Sequence, residues 1–437
     1  MKKEIVFYYD VICPYANLAS KLIEDLARRN QANLIWRPVL LGGIYKHTKK
    51  EHANIPDNKM IKTYSNQKRM TLGKDLVMHY ARYNIPISSV QVPDIRTLNA
   101  MRLIASTPSE SDKLRSALTH RLFDAIWIKQ EDVSDLGVLQ NIANSLKFDI
   151  DVKGLVEDKK HPSKQILIDN TQEVVDRGAF GVPSIWVNDR LYFGTDRLFF
   201  VEQELGNATA SPHRLLQTPV ERNLSKKLTF YFDFSSPWTF LGYAQIPELA
   251  SMIREKGVSL DVEFVPILLG GLFKSIGSPM IPMQSMGDNK RRYYTQDFND
   301  WLQYKKMKFL YNSHFPLISV KALRLYLANP TADLRDVLFQ AAWVDDKDIT
   351  DVKILEEIIS KAGYDFKDVY EKSQSKEIKQ QLITNTNSAV ELGISGLPSF
   401  QVDDGPIVFG QDRLNIVEDM LLGWKFDFGD YFNKSRL

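Results

Sequence analysis

The chain repeats itself, because five short blocks of sequence occur once in each half and in the same order. In the first half the blocks are residues 7–15, 37–44, 125–127, 181–184 and 193–198, and they recur at 230–238, 265–272, 341–343, 396–399 and 409–414. The offset between the two halves stays between 215 and 228 residues, as expected of a duplicated domain with a few insertions and deletions. We therefore predict two domains, residues 1–210 and 226–437, with a linker near residues 207–226.

The composition is that of an ordinary globular protein, with 44% hydrophobic residues, 25% charged residues and a formal net charge of +2. The sequence has no block of like charge and no apolar stretch of transmembrane length, so we predict neither nucleic-acid nor membrane binding. Glu4 and Asp10 interrupt the first apolar run, which indicates a β-strand over residues 4–11 rather than a signal peptide. Cys13 is the only cysteine, so no disulfide forms within the chain and a reducing compartment is expected.

Each half has the pattern of a strand–helix–strand unit followed by helices and two more strands. β-rich runs cover residues 5–11 and 34–40 in the first half and 228–234 and 260–268 in the second. The first pair encloses an apolar stripe at helical spacing, formed by Leu18, Leu22, Ile23 and Leu26. Short strands are predicted at 184–187 and 191–193, before a closing helix. The pattern predicts an α/β fold with two tandem thioredoxin-like domains, each with a helical insertion.

The first helix of each copy begins with a proline, at Cys13-Pro14 and Ser236-Pro237. Proline suits the first helical position because its missing N–H would be unpaired there. The Cys or Ser before it is then the N-cap, beside free backbone N–H groups and the positive end of the helix dipole. Such a position stabilises a thiolate of the protein or of a ligand, and it predicts a lowered pKa for Cys13. Simple helix capping is the alternative.

Two further motifs lie near the end of each copy. Val182-Pro183 and Leu397-Pro398 stand directly before a strand, where proline cannot donate to the sheet; a turn with a cis peptide bond is expected, and a simple turn is the alternative. Phe-Gly-x-Asp-Arg-Leu, at 193–198 and 409–414, places a carboxylate at the start of a helix. Its alternative interpretation is a helix cap with a solvated arginine.

As a set, these motifs resemble the kappa-class glutathione transferases and their relatives, the 2-hydroxychromene-2-carboxylate isomerases, in the DsbA-like branch of thioredoxin folds. The resemblance covers nearly the whole chain, once per copy. In the second copy it rests on residues 233–238, 269–271, 396–398 and 409–414, together with Lys290, Tyr293 and Asp297.

The resemblance implies a glutathione site in the second copy. There Ser236 would hydrogen-bond the glutathione sulfur, and the backbone at Leu397, before Pro398, would pair with the cysteinyl part. Asp412, beside Gln411, would bind the γ-glutamyl amine. The corresponding places in the first copy are held by Val182, Pro183 and Asp196.

The first copy departs from the pattern. Cys13 replaces the serine, and Ala16 stands where the Cys-Pro-x-Cys motif of disulfide oxidoreductases has its second cysteine. Cys13 is therefore limited to a mixed disulfide, for example with glutathione. The Lys-x-x-Tyr-x-x-x-Asp pattern that begins at Lys290 is degraded in the first copy, where Lys59 lacks the Tyr and the Asp. A half-buried, inert Cys13 in a decayed copy is the alternative.

The resemblance implies a glutathione-dependent transferase that activates the glutathione thiolate for attack on a small electrophile. The alternatives are a glutathione-dependent isomerase of the 2-hydroxychromene-2-carboxylate type, a monothiol oxidoreductase acting through Cys13, and a non-catalytic binding protein. We expect no metal ion, and we expect the two copies to form an intramolecular pseudo-dimer. The terminal Ser435-Arg436-Leu437 predicts delivery to peroxisomes if the source is a eukaryote, and a cytoplasmic location otherwise.

Overall fold

The computed structural model describes residues 3–49 and 65–428. Lys59 and the terminal Ser435-Arg436-Leu437 lie outside the described residues, so the peroxisomal address stays a prediction. None of the described helices is both long enough and apolar enough to cross a membrane.

The two copies share one order of elements, except that one helix, α1, lies between the first two strands of the first copy and two helices, α10 and α11, lie there in the second. The first contains β1 (Glu4–Tyr9), α1 (Pro14–Arg29), β2 (Asn33–Pro38), α2 (Leu41–Lys49), α3 (Asn66–Arg82), α4 (Leu98–Ala105), α5 (Asp112–Trp127), α6 (Leu136–Ser145), α7 (Val152–Glu157), α8 (Pro162–Asp176), β3 (Ser184–Val187), β4 (Arg190–Phe193) and α9 (Leu198–Glu204). The second contains β5 (Ser225–Phe232), α10 (Pro237–Tyr243), α11 (Ile246–Glu255), β6 (Ser259–Pro266), α12 (Leu269–Ile276), α13 (Asp288–Tyr304), α14 (Val320–Ala328), α15 (Ala332–Trp343), α16 (Val352–Lys361), α17 (Phe366–Ser373), α18 (Lys376–Glu391), β7 (Ser399–Val402), β8 (Val408–Phe409) and α19 (Leu414–Leu421).

Each copy has one four-stranded sheet, in the order β2-β1-β3-β4 or β6-β5-β7-β8. β1 and β5 are parallel to β2 and β6 and antiparallel to β3 and β7. The predicted α/β fold, with two thioredoxin-like domains and helical insertions, is confirmed.

The first strands end two residues earlier than the sequence predicts, at Tyr9 and Phe232. Buried aspartates follow them and turn the chain. The Asp10 carboxylate accepts the Ile12 N–H at 3.2 Å and the Leu41 N–H at 3.0 Å. Asp233 likewise accepts the N–H groups of Ser235 and Leu269, at 2.9 and 2.8 Å. These hydrogen bonds hold the start of α1 or α10 beside the start of α2 or α12.

A tryptophan at the end of each long insertion helix ties the insertion to the same turn. Trp127 Nε1 donates to the Val11 carbonyl at 3.0 Å, and Trp343 Nε1 donates to the Phe234 carbonyl at 2.8 Å. Both indole rings are fully buried. The Ala-x-Trp block of the repeat is therefore the contact between insertion and sheet.

The two copies pack against each other through α3 and α13, each of which lies on the opposite copy. Gln67 of α3 donates to the carbonyls of Val390 and Ile394 at 3.2 and 2.6 Å. Asn289 of α13 makes the reciprocal bonds, both at 3.1 Å, to Val175 and Ala179. Trp301 of α13 also packs on Phe199 and Phe200 of the first copy. The contact has pseudo-two-fold symmetry, as a pseudo-dimer requires.

The linker between the copies packs beside this contact, where one buried ion pair holds residues 213–216. Arg82 of α3 pairs with Asp419 of α19, and their side chains are 1% and 0% exposed. The Asp419 carboxylate also accepts the N–H groups of Leu215 and Leu216, at 2.8 Å each. Arg82 donates a further hydrogen bond to the His213 carbonyl at 3.0 Å.

Candidate active site

The N-cap of the first helix differs between the copies. Ser236 Oγ accepts the Thr239 N–H at 3.2 Å, as an N-cap serine does. Cys13 makes no such capping bond; its Sγ donates instead to the Val182 carbonyl, 3.3 Å away. A hydroxyl carries one donor and two acceptor lone pairs, so capping leaves the Ser236 proton available to another acceptor.

The prolines of the second motif are cis, as predicted: the Val182-Pro183 and Leu397-Pro398 bonds both have this geometry. The Pro398 carbonyl accepts the Gly410 N–H at 3.0 Å, and the Pro183 carbonyl accepts the Gly194 N–H at 3.1 Å. The third motif is thus held directly against the second.

Gly410 has φ of +107°, and a Cβ there would lie 2.6 Å from Asp412 Oδ1. A side chain at this position would be strained and would displace the Asp412 carboxylate. The glycine therefore sets the position of Asp412.

The three motifs of the second copy meet at α10. A Cβ on Gly242 of α10 would lie 3.0 Å from Pro398 Cγ and 3.4 Å from Gln411 Cβ, so the helix packs directly on both. Gln411 accepts a hydrogen bond from Gln245 Nε2 at 3.0 Å. The structure thus brings the Ser236 helix, the cis-proline and the Gln411–Asp412 turn together.

Behind this turn, six charged side chains from both copies form one buried cluster, here called the shared charge network: Asp75, Asp196, Arg197, Asp297, Asp412 and Arg413. Arg197 of the first copy makes two bonds to Asp297 of the second, at 2.6 and 2.7 Å. Arg413 of the second copy makes the reciprocal pair to Asp75 of the first, at 2.8 and 3.0 Å.

The arginines also contact the aspartates of the third motif, to one of which, Asp412, the resemblance gives the γ-glutamyl amine. Arg197 Nη1 lies 2.5 Å from Asp412 Oδ2, and Arg413 Nη1 lies 3.0 Å from Asp196 Oδ1. Burial alone would raise the pKa of Asp412, but Arg413 and Arg197 outweigh it and hold that pKa well below its usual range. Burial likewise opposes the charge of Arg197, but Asp297 and Asp412 outweigh it and raise its pKa well above the ordinary value.

Two further side chains from α3 lie beside the network. His79 Nε2 is 3.5 Å from Asp196 and 3.8 Å from Asp75, and burial lowers its pKa, which keeps the ring neutral at pH 7. The reciprocal position on α13 is Trp301. Lys68 Nζ lies 3.5 Å above the Phe409 ring, next to the third motif of the second copy. Burial lowers the pKa of Lys68 to about 7.

Two interpretations of the sequence are wrong here. The partner of Lys290 in the first copy is Lys68, not Lys59, because Gln67 and Asp75 make the contacts that Asn289 and Asp297 make. The offset of 222 residues falls between those of the neighbouring blocks, 228 and 216, which is the signal that locates it. The arginines of the third motif are not solvated capping residues: both are buried in the shared charge network.

The lowered pKa predicted for Cys13 is also wrong. Burial raises the pKa of this thiol to about 12, which outweighs the stabilisation by the backbone N–H groups of Ala16 and Tyr15. Whether Cys13 is catalytic is a separate question, and its catalytic role stays a prediction.

We expect Cys13 to alkylate slowly at neutral pH. The rate of reaction with iodoacetamide, followed by mass, should keep rising above pH 9, because the thiolate is scarce below the raised pKa. The chain has no other cysteine, so one mass adduct reports this thiol alone. A rate that levels off by pH 8.5 contradicts the buried, protonated thiol.

No group of three or more His, Cys, Asp or Glu side chains within residues 3–49 and 65–428 is arranged to hold a metal ion.

Both halves of the chain are similar to known proteins. The family model described as a DSBA-like thioredoxin domain matches twice, at residues 4–206 and 227–422. The 2-hydroxychromene-2-carboxylate isomerase of Sphingobium xenophagum is 28% identical over 213 residues, which are 47% of this chain and 99% of that protein. Glutathione S-transferase kappa 1 of Caenorhabditis elegans is 24% identical, over 48% of this chain and 94% of that protein.

Among solved structures, a 2-hydroxychromene-2-carboxylate isomerase matches with a TM-score of 0.39 and 22% identity, over 45% of this chain and 94% of that one. Each relative thus corresponds to about half of this chain. The chain belongs to the DSBA-like thioredoxin domain family and contains the family's domain twice.

Proposed function

We propose that this protein is a glutathione-dependent transferase whose second copy activates the glutathione thiol for attack on a small electrophile. The observation that carries the proposal is the Ser236 hydroxyl, which caps α10 through Thr239 and keeps its own proton free. A hydrogen bond from that proton, together with the positive end of α10, would stabilise a sulfur anion. Names of relatives support the choice, since both a glutathione S-transferase and an isomerase of the same family match.

The residues around Ser236 fit the charges of glutathione, which at neutral pH carries one ammonium and two carboxylates. The shared charge network holds four carboxylates against two guanidiniums, so an ammonium at Asp412 would offset part of its excess negative charge. Lys68, with a pKa of about 7, would become fully charged beside a ligand carboxylate. The backbone of Leu397, before cis-Pro398, would pair with the cysteinyl part.

The isomerase alternative uses the same thiolate. The glutathione thiolate would add reversibly to a conjugated double bond of the substrate, allow rotation about the resulting single bond, and then be eliminated. The protein would supply the same groups for both reactions, so the electrophile decides between them.

A monothiol oxidoreductase acting through Cys13 is the second candidate, supported by the thiol at the N-cap of α1. The raised pKa of Cys13 weighs against this oxidoreductase role, because the thiol rather than the thiolate is then the main form. A mixed disulfide at Cys13 would also remove the hydrogen bond that its thiol donates to the Val182 carbonyl.

We expect Ser236→Ala to lower the ultraviolet thiolate absorbance of bound glutathione at pH 7 and to reduce conjugation of a generic aromatic electrophile about 10²-fold. Loss of one hydrogen bond to the developing anion is the physical reason. Glutathione titrations followed by thiolate absorbance and by calorimetry separate loss of thiolate from loss of binding.

Ser235→Ala is the matched control, because it removes the neighbouring hydroxyl and leaves the cap of α10 intact. It should keep both signals. If Ser236→Ala behaves like Ser235→Ala, the assignment of Ser236 is wrong. Loss of activity in Cys13→Ser but not in Ser236→Ala would favour the oxidoreductase, and no turnover with bound glutathione would favour a binding protein.

A further inference from the structure

Asp196 and Asp412, one from each copy, share the same two arginines. Arg413 Nη1 lies 3.0 Å from the Asp196 carboxylate and 3.1 Å from the Asp412 carboxylate. Arg197 Nη1 lies 2.5 Å from Asp412 and 3.6 Å from Asp196. The Nη1 atom of each arginine therefore contacts both carboxylates at once. Neither Asp196 nor Asp412 has an arginine that it does not share.

The remaining charges of the shared charge network do not relieve this competition. The other donors of Arg197 and Arg413 are engaged by Asp297 and Asp75. His79, 3.5 Å from Asp196, adds no cation at pH 7, because burial lowers its pKa. Four carboxylates thus face two guanidiniums in a buried setting, where charges are poorly screened by salt.

We propose that the two copies bind glutathione with negative cooperativity, and that the shared charge network is the coupling element. This inference rests on the proposed function, since it takes Asp196 and Asp412 as the sites of the γ-glutamyl ammonium. The first ammonium neutralises one of the competing carboxylates, and both arginines then turn to the other. The second carboxylate is consequently better neutralised and attracts the second ammonium less. By linkage, the reduction is the same whichever copy fills first.

The test compares the wild-type chain with two variants that each keep one site, Asp196→Asn and Asp412→Asn. Each substitution removes one negative charge, as a bound ammonium would. We therefore expect either variant to bind its single glutathione about tenfold more weakly than the wild type binds its first. Isothermal titration calorimetry with reduced glutathione at pH 7 measures all three isotherms. Independent sites would instead give a wild-type isotherm that is the sum of the two variant isotherms.

Two further variants test whether the coupling depends on the charge at residue 196 or on any change of side chain at the contact. Asp196→Glu disturbs the first site but keeps its charge, so the second copy should bind glutathione more tightly in this variant than in Asp196→Asn. Asp300→Asn removes another ion pair between the copies, that with Arg190, which lies outside the shared charge network, and should leave the isotherm unchanged.

The outcomes are distinct. Additive isotherms, a stoichiometry of one, or an Asp196→Glu variant as weak as Asp196→Asn each overturn the coupling and leave the proposed function standing. A wild-type chain that binds no glutathione overturns the proposed function, and the coupling with it.

Discussion

Asp419→Asn is expected to lower the free energy of unfolding by about 3–5 kcal/mol. The substitution leaves the Arg82 guanidinium buried without a counter-ion, and it places amide hydrogens against the N–H groups of Leu215 and Leu216. Removal of one partner from a buried pair costs far more than the pair contributes when both are present, because the remaining charge cannot return to water. The linker also loses the contact that fixes residues 213–216 between the two copies.

Urea unfolding followed by circular dichroism measures this loss. Asp403→Asn is a suitable control, because Asp403 pairs with Lys226 at the surface and its side chain is 42% exposed. We expect that control to change the free energy of unfolding by no more than about 1 kcal/mol. Similar midpoints for the two variants would show that the buried pair is not a principal contact of the linker.

Arg197→Met should also cost about 3–5 kcal/mol at pH 7, because it leaves Asp297 buried without its cation and takes from Asp412 one of its two arginines. In the wild type the pKa of Asp412 is held low, so the stability it contributes is present above the unfolded pKa of about 4 and is lost as the pH falls further. In the variant the carboxylates without a partner take up protons at higher pH. The difference between variant and wild type should therefore shrink as the pH falls from 7 towards 4.

The matched control is Arg190→Met, which removes a cation of the same kind from the same contact between the copies. Arg190 is 39% exposed and its partner Asp300 is 12% exposed, so the loss of Arg190 should cost less than the loss of the more deeply buried Arg197, which contacts two carboxylates. Thermal unfolding at several pH values compares the two. Equal losses, or a loss for Arg197→Met that does not depend on pH, would contradict the part assigned to the shared charge network.

Much of the fold can be predicted from the sequence because its signals are local. The apolar stripe of α1, the prolines at 14 and 237 and the β-rich runs each depend on residues a few positions apart, and the internal repeat supplies the prolines and the runs twice. The prolines at 183 and 398 were correctly expected to be cis. The first strands were predicted two residues too long because a buried aspartate such as Asp10 is indistinguishable, in sequence, from a polar strand residue until its amide partners are known.

One group of errors concerns side chains whose surroundings come from the other copy. Arg197 and Arg413 look like solvated residues at helix starts, and only the packing of α3 and α13 on the opposite copies reveals their carboxylate partners. The pKa of Cys13 was predicted from the helix dipole alone, whereas the larger effect is burial beneath Val182 and the surrounding elements. Desolvation depends on everything packed around an atom, and short motifs carry no such information.

The reciprocal contact between α3 and α13 has an evolutionary consequence. In a homodimer with a two-fold axis, one mutation changes both sides of the interface together, so a residue must suit its own mirror image. Fusion into one chain removes that constraint, because each codon now specifies a single position. His79 can therefore occupy the place where its counterpart is Trp301, and a thiol at Cys13 can coexist with a hydroxyl at Ser236. A duplicated chain of this kind can keep one half for an inherited task while selection alters the other.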